Sequence, residues 1–338
     1  MKIAVDAFGG DNAPDEVIKG AVEAVQVYGV EVVLTGDEST IKSRFEALKL
    51  SLNGITIVNA DGVIEIEDDP MRIRKDKLNS SMGTAFQLVM KGEADAFVSA
   101  GSTAALVVGG TMLVGRIKGV KRPALAPIMP SINGKYILLD GGANLECRPE
   151  MLQQFAVLGS VYMDKIMNIQ SPRVGLLNIG TEEEKGRELE HGTFELLKKT
   201  PLNFIGNIEA REVPLGGCDV VVTDGFTGNI FLKTVEGMGR FMKMSLKKLF
   251  FKNFGTKIGA LFTMKGIKNL SAQMDYKEVG GSPLLGTVKP VIKAHGSSDA
   301  KAFKNAIRQA KEFIENNAIE EMAGALAAMK ANGTGEAE

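Results

Sequence analysis

Tryptophan is absent from this 338-residue chain, and aromatic residues make up 6% of it. Base-stacking platforms are built from such rings. A formal net charge of −1 supplies no basic field for a phosphate backbone, so no nucleic-acid partner is expected. Cys147 and Cys218 are the two cysteines, far apart and with no Cys-x-x-Cys. They frame neither a disulfide scaffold nor a thiolate zinc site, and they fit a reducing cytosol. His191 and His295 are the two histidines, too few for an imidazole metal cluster. No metal and no cofactor is expected. The start, Met1-Lys2-Ile3-Ala4-Val5-Asp6, lacks the basic region and long apolar stretch of a secretory signal. Residues 96–115 carry no charge and are about long enough to span a bilayer. Ser99, Gly101, Ser102, Thr103, Gly109, Gly110 and Thr111 dilute that run, which favours strand, loop and buried helix. Gly-x-Gly-x-x-Gly after a strand, the Walker lysine loop and Gly-x-Ser-x-Gly are all missing.

What the chain does contain is a repeated event. Five apolar runs, at 3–5, 96–98, 136–139, 174–177 and 220–222, each end in a cluster of small or polar residues. A strand buried on both faces reads as such a run. Ligands of open α/β sheets bind beyond the carboxyl ends of the strands. Small side chains there let backbone N–H groups approach an anion. The pattern therefore predicts one polar pocket gathered from distant segments. Helices are expected over 15–28, 38–48, 81–91, 149–167, 181–199 and 228–249, and from 299 onward. Strands are expected over 31–35, 55–59, 94–99, 135–140, 173–179, 202–208, 219–223 and 290–294. The β-α-β rhythm predicts an α/β fold with a parallel, doubly wound sheet. No linker divides the chain, so residues 1–330 read as one large α/β domain and 331–338 as a flexible tail.

A basic amphipathic region over about 239–274 stands apart. Arg240, Lys243, Lys247, Lys248 and Lys252 alternate there with Phe250, Phe251 and Phe254, and no acid appears before Asp275. Such a segment suits an anionic membrane surface or an acidic protein. It equally suits a helix packed on its own core or on a second subunit.

Candidate chemistry is rich in N–H donors, hydroxyls and amides, as an anion or a developing oxyanion requires. His295 precedes Gly296-Ser297-Ser298 at an expected helix start, where imidazole and N–H groups can share one anion; Ser298 is a candidate N-cap. Lys185 follows three glutamates, and Thr181 with Glu184 has capping-box spacing. Asn229 closes Asp224-Gly225-Phe226-Thr227-Gly228-Asn229 and can polarise a carbonyl or cap a helix. Asp6, Asp140 and Asp224 end strands and can tie their loops together.

These residues resemble the bacterial acyl-acyl-carrier-protein:phosphate acyltransferase family over nearly the whole chain. The likeness is carried by Val5-Asp6-Ala7-Phe8-Gly9-Gly10-Asp11-Asn12-Ala13-Pro14, Ser99-Ala100-Gly101-Ser102-Thr103, Arg122-Pro123-Ala124 and Asp140-Gly141-Gly142-Ala143-Asn144. It continues through residues 175–180 with Lys185-Gly186, then 224–229, 280–286 and 294–298. The family usually shows Met at Phe8, His at Asn12, Asn at Ser102, Gly at Ala104 and Val at Gly141. The resemblance implies a three-layer α/β/α Rossmann-like fold, akin to isocitrate and isopropylmalate dehydrogenases and phosphotransacetylases. It implies a homodimer that makes acyl phosphate from acyl-acyl-carrier protein and inorganic phosphate. The product would feed a membrane glycerol-3-phosphate acyltransferase in phospholipid synthesis, from a cytoplasmic, peripherally membrane-associated enzyme. Lys185, Asn229 and His295 are the expected catalytic residues. Asp6, Gly9, Gly10, Asn12, Ser99, Gly101, Ser102, Thr103, Asn144, Asp224, Gly225, Thr227, Gly296, Ser297 and Ser298 are expected to bind phosphate and substrate. The basic residues named above would face the carrier or the membrane. An oxidoreductase on the related dehydrogenase fold and a non-catalytic membrane scaffold remain as rivals.

Overall fold

The computed structural model describes residues 1–253 and 278–333, with 255, 256, 259, 260, 263 and 266 between them. Phe254 lies outside the described residues, as do 334–338 of the expected tail.

The apolar runs form the strands of two sheets. The first contains β1 (Lys2–Asp6), β2 (Glu31–Gly36), β3 (Ile55–Asn59) and β4 (Ala96–Ser99). β1 pairs in parallel with β2 and β4, with Val5 opposite Leu34 on one side and Val98 on the other. Helices α1 (Asp15–Tyr28), α2 (Glu38–Leu48), α3 (Ser81–Met90) and α4 (Thr103–Gly109) supply the crossovers, and α4 ends in one π-helical turn. The segment after it forms β5 (Ala124–Leu125), β6 (Ile128–Ser131) and β7 (Gly134–Leu139). The second half adds α5 (Pro149–Lys165), β8 (Val174–Asn178), α6 (Glu188–Lys198), β9 (Phe204–Glu209), β10 (Val220–Val222) and α7 (Gly225–Phe250). The chain closes with β11 (Gly281–Leu285), β12 (Val291–Ala294), α8 (Ala300–Glu315) and α9 (Ala318–Gly333).

Strand order is β3-β2-β1-β4-β12-β11-β5 in the first sheet and β6-β7-β10-β8-β9 in the second. β5 edges one sheet and β6 the other, so the short segment joining them carries the chain across. Ala126 N–H donates to Pro283 O at 2.9 Å, and Leu138 N–H to Pro127 O at 3.0 Å. Ile3, Val98 and Ile292 of the first sheet and Ile137, Val174 and Val220 of the second share one buried cluster. Burial of that surface, at about 25 cal/mol per Å², is the main force that fixes the two sheets against each other.

Several elements depart from the sequence expectation. The helix expected from 181 begins at Glu188. Gly186 adopts φ +107 and breaks the preceding turn, and Glu190 rather than Glu184 reaches back, accepting the Arg187 N–H at 2.7 Å. α7 starts at Gly225 with Asp224 as its cap, so Asn229 lies inside the helix and does not cap it. Asp299, not Ser298, caps α8 by accepting the Ala302 N–H at 3.1 Å. Asn317 at φ +49 ends that stretch, and α9 follows instead of a tail at 331–333. Residues 281–285, for which the sequence suggested no element, are a strand antiparallel to β12 and β5.

Phe231 and Leu232 still pack on the second sheet, with Val235 against them; beyond Val235, α7 leaves it. Arg240, Phe241, Lys243, Met244, Lys247, Lys248 and Leu249 are exposed, Phe250 is half-buried, and Phe251 and Lys252 beyond it are exposed. Among the described residues no helix is long and apolar enough to cross a membrane.

Gly228 shows how tightly α7 sits on the second sheet. A Cβ there would fall 1.9 Å from Asp140 O. Helix propensity alone favours Ala over Gly by about 1 kcal/mol, but overpacking against a backbone carbonyl costs about 1–3 kcal/mol or more. Gly228→Ala should therefore lower the thermal unfolding midpoint; an unchanged or raised midpoint would contradict this packing.

Candidate active site

β1, β4 and β12 run parallel and adjacent, so the loops at their carboxyl ends lie side by side. Asp6 organises them. Its buried carboxylate accepts from Ser99 Oγ at 2.7 Å and from the Phe8 N–H at 3.1 Å. Ser99 Oγ in turn accepts the Gly101 N–H at 2.9 Å. Burial raises the Asp6 pKa, opposed by these hydrogen bonds. Asp11 N–H donates to Gly296 O at 2.8 Å, and the Asn12 amide donates to Ser298 O at 3.2 Å and Ser297 O at 3.4 Å. Gly9 passes so close that a Cβ would lie 2.6 Å from Gly101 N; at Gly10 one would lie 2.9 Å from Gly296 O.

The second sheet has a matching device. Asp140 accepts the N–H groups of Leu125, Gly142, Ala143 and Asn144 and the Asn144 amide, all between 2.6 and 3.1 Å. Asn144 also donates to Pro123 O at 2.8 Å. The Asn144 side chain is thus held by the turn. Asp224 accepts the Thr227 N–H at 2.7 Å, the Thr227 hydroxyl at 3.1 Å and Arg187 Nη2 at 2.6 Å. Gly225 N–H donates to Asn144 O at 2.8 Å. These bonds fix the start of α7, and Asn229 follows one turn later.

Between the two sets of loops lies a cavity of about 630 Å³. Thr103, Asn229, Lys233, Glu236, Lys293 and His295 give it a polar side; Val107, Val108, Leu125, Ile128, Met129 and Leu232 give it an apolar one. Of the residues singled out in the sequence, Thr103, Asn229, His295 and Gly296 line it. Asp6, Gly9, Gly10, Ser99 and Gly101 are not in the lining but brace its loops, and Asn12 and Ser297 are exposed beside them. Ser102 caps α4 by accepting the Ala105 N–H at 3.4 Å. Ser298 is buried behind Asn12. Lys185 is exposed on the turn between β8 and α6 and is not part of the lining. Arg187 ties that turn to the start of α7 through Asp224.

His295 Nδ1 accepts the Ser297 N–H at 3.2 Å, which leaves the proton of the neutral ring on Nε2. Partial burial holds its pKa below the usual value, so the imidazole is neutral at pH 7. Burial pushes the Cys147 and Cys218 thiols up to about 12, so neither is a thiolate nucleophile at neutral pH.

Lys293 escaped the sequence reading. It sits in the Val291–Ala294 strand, is 9% exposed, and its Nζ donates to Ala100 O at 3.1 Å and also to Ala294 O. Its signal was a lone charge inside an apolar strand, two residues before His295. Burial lowers its pKa from 10.5 to about 8, with Asp6 and Asp11 partly opposing. Between those two values the unfolded chain keeps a proton that the folded chain has released, so stability rises with pH across that window. Relative to Lys293→Met, the wild type should gain on the order of 3 kcal/mol as pH rises from about 8 to 10.5, at 1.36 kcal/mol per pKa unit. Chemical unfolding of both proteins at several pH values checks this; a gap that stays constant would contradict it.

Comparison with known proteins accords with this architecture. The fatty acid synthesis protein family matches residues 1–321. A phosphate acyltransferase of Caldanaerobacter subterraneus subsp. tengcongensis is 50% identical over 323 residues, covering 94% of this chain and 95% of that protein. One from Alkaliphilus oremlandii is 45% identical over 329 residues, 97% of this chain and 98% of that protein. Among solved structures, a phosphotransacetylase from Streptococcus pyogenes superposes with a TM-score of 0.64 at 21% identity, covering 93% of this chain and 94% of that one. The EutD phosphotransacetylase from Staphylococcus aureus gives 0.58 at 18% identity, over 96% and 94%. Those likenesses concern the fold. With the family match spanning nearly the whole chain and half of its residues shared with a curated relative, the chain belongs to the phosphate acyltransferase family of fatty acid synthesis proteins.

Proposed function

We propose that this protein transfers an acyl group from acyl-acyl-carrier protein to inorganic phosphate, releasing acyl phosphate and free carrier for phospholipid synthesis. The observation that carries the proposal is the two-sided cavity. Polar groups that suit an anion, at Lys293, His295 and Asn229, face the same space as an apolar wall from α4, the 125–129 segment and Leu232.

A phosphate oxygen attacks the thioester carbonyl carbon, the C–S bond breaks, and the departing thiolate takes up the proton that hydrogen phosphate brought. Atoms and charge balance with no further reactant. Fixing both reactants in one cavity supplies about 7–11 kcal/mol of the barrier. Asn229 donates its amide to the carbonyl oxygen as negative charge develops there. His295, neutral with its proton on Nε2, donates that N–H to a phosphate oxygen, and the proton of hydrogen phosphate passes directly to the departing sulfur. Thr103 and the N–H groups of the bracing loops receive phosphate oxygens. Lys185 acts from outside the cavity, as a charge for the carrier-borne thiolate arriving over the turn that Arg187 anchors.

Carrier protein is the acidic partner for which exposed Arg240, Lys243, Lys247, Lys248 and Lys252 are suited. The same face, with Phe241, Leu249 and Phe251 exposed beside it, suits an anionic membrane and a membrane glycerol-3-phosphate acyltransferase upon it. Homodimerisation over the exposed part of α7 belongs to the same proposal.

Purified protein incubated with acyl-acyl-carrier protein and phosphate should yield acyl phosphate and free carrier thiol in equal amounts; hydrolysis to free acid without acyl phosphate would reject the activity. Asn229→Ala should lower kcat by about 10²–10³-fold with the fold intact, the usual loss for one oxyanion donor. Wild-type turnover would remove Asn229 from the chemistry. Replacing Lys243, Lys247 and Lys248 with Ser should weaken carrier or anionic-vesicle binding most at low salt, where charges are least screened. Binding that is unchanged to both would assign the helix to packing alone.

A further inference from the structure

Lys293 presents an electrostatic problem that the folded chain leaves unsolved. A buried ammonium is costly unless a counter-charge or a full set of hydrogen bonds compensates it. An ammonium has three donors. Two of them reach carbonyls, Ala100 O at the end of β4 and Ala294 O at the end of β12. Among the described residues no carboxylate forms an ion pair with it. Asp6 and Asp11 act on it only at a distance, while Lys233 opposes them. Asp6 is itself committed to Ser99 and Phe8. Yet Lys293 lines the cavity with Asn229 and His295.

We propose that the Lys293 ammonium is the counter-charge for the phosphate in this cavity, using its third donor on a phosphate oxygen while the Ala100 and Ala294 carbonyls hold it in place. The assignment rests on the reading that the cavity takes inorganic phosphate. It names a cation of the site that no carboxylate already holds: Lys233, also in the lining, is paired with Glu236 at 2.8 Å, and exposed Lys185 lies outside the lining. The two anchoring carbonyls belong to the loops that flank the anion, so the same side chain that binds phosphate also sets the spacing of those loops. An anion entering the cavity then relieves the uncompensated charge and should stabilise the folded state by mass action.

The experiment compares wild type with Lys293→Met and Lys293→Gln. Gln keeps a donor for one carbonyl without the charge. Thermal unfolding is followed with and without inorganic phosphate, and KM for phosphate is separated from kcat. The wild-type midpoint should rise with phosphate. Both variants should lose that rise, and each should show a midpoint without phosphate at or above that of the wild type, because a buried unpaired charge has gone. Their KM for phosphate should increase about 10–100-fold, as expected for losing one charged hydrogen bond. Lys293→Arg should recover part of the phosphate response.

A purely structural lysine behaves differently. Lys293→Met would then have a lower midpoint but an unchanged phosphate shift and KM, and that result overturns the proposal. A wild type that neither forms acyl phosphate nor responds to phosphate would instead overturn the reading of the cavity on which the proposal rests.

Discussion

Two buried carboxylates, Asp6 and Asp140, hold the functional end of this molecule together. Each ends or follows a central strand and gathers the N–H or hydroxyl groups of loops that would otherwise have no reason to converge. Asp140 alone takes five hydrogen bonds, one from Leu125 in the segment that crosses between the sheets. Asp6 joins β1 to β4 through Ser99. Removing Asp140 would leave four backbone N–H groups and the Asn144 amide without this acceptor, and removing Asp6 would do the same to the Ser99 hydroxyl and the Phe8 N–H, at about 1–3 kcal/mol for each buried group. These carboxylates therefore position the site without entering it, and the backbone they arrange is what an anion would meet.

The cavity owes its two characters to that arrangement. Its apolar wall comes from α4 and from the crossing segment, which are packed against the first sheet and the edge of the second. Its polar side comes from β12 and from α7, set by the Asp224 cap and the Arg187 ion pair. A thioester with a long apolar tail and a small multivalent anion need just such a boundary. The anion requires donors and a cation; the tail requires surface that water leaves gladly. In the proposed reaction one space would serve both, at the place where the chain crosses from β5 of one sheet to β6 of the other.

Much of the fold was legible in the sequence because most of its strands are short apolar runs and, from β1 to β4, a helix lies between each strand and the next. β1 through β4 and their helices follow from apolar runs alone. β6 did not, since Pro130 masks this edge strand. The turn at 181–187 misled because Thr181 and Glu184 mimic a cap, whereas Gly186, with its positive φ, decides where the helix can begin. The site was half legible. Loops rich in glycine, serine and asparagine announce themselves, and Asn229 and His295 stand beside such clusters. Lys293 does not, because the sequence shows only a charge in a strand and not that the strand is buried. The apolar wall is drawn from positions near 107, 128 and 232, which no local pattern connects. Asn144, Asp224 and Thr227 carry the residue types of a binding site, but their side chains are committed to caps and turns.

The most direct test is a structure of the protein with inorganic phosphate and a non-reactive acyl thioether analogue. The phosphate should lie inside the cavity against Lys293 and the 100–103 and 295–297 loops, with the analogue's carbonyl within hydrogen-bond reach of Asn229 and its chain along Val107, Ile128 and Met129. Phosphate bound elsewhere, or an acyl chain outside the cavity, would contradict the account.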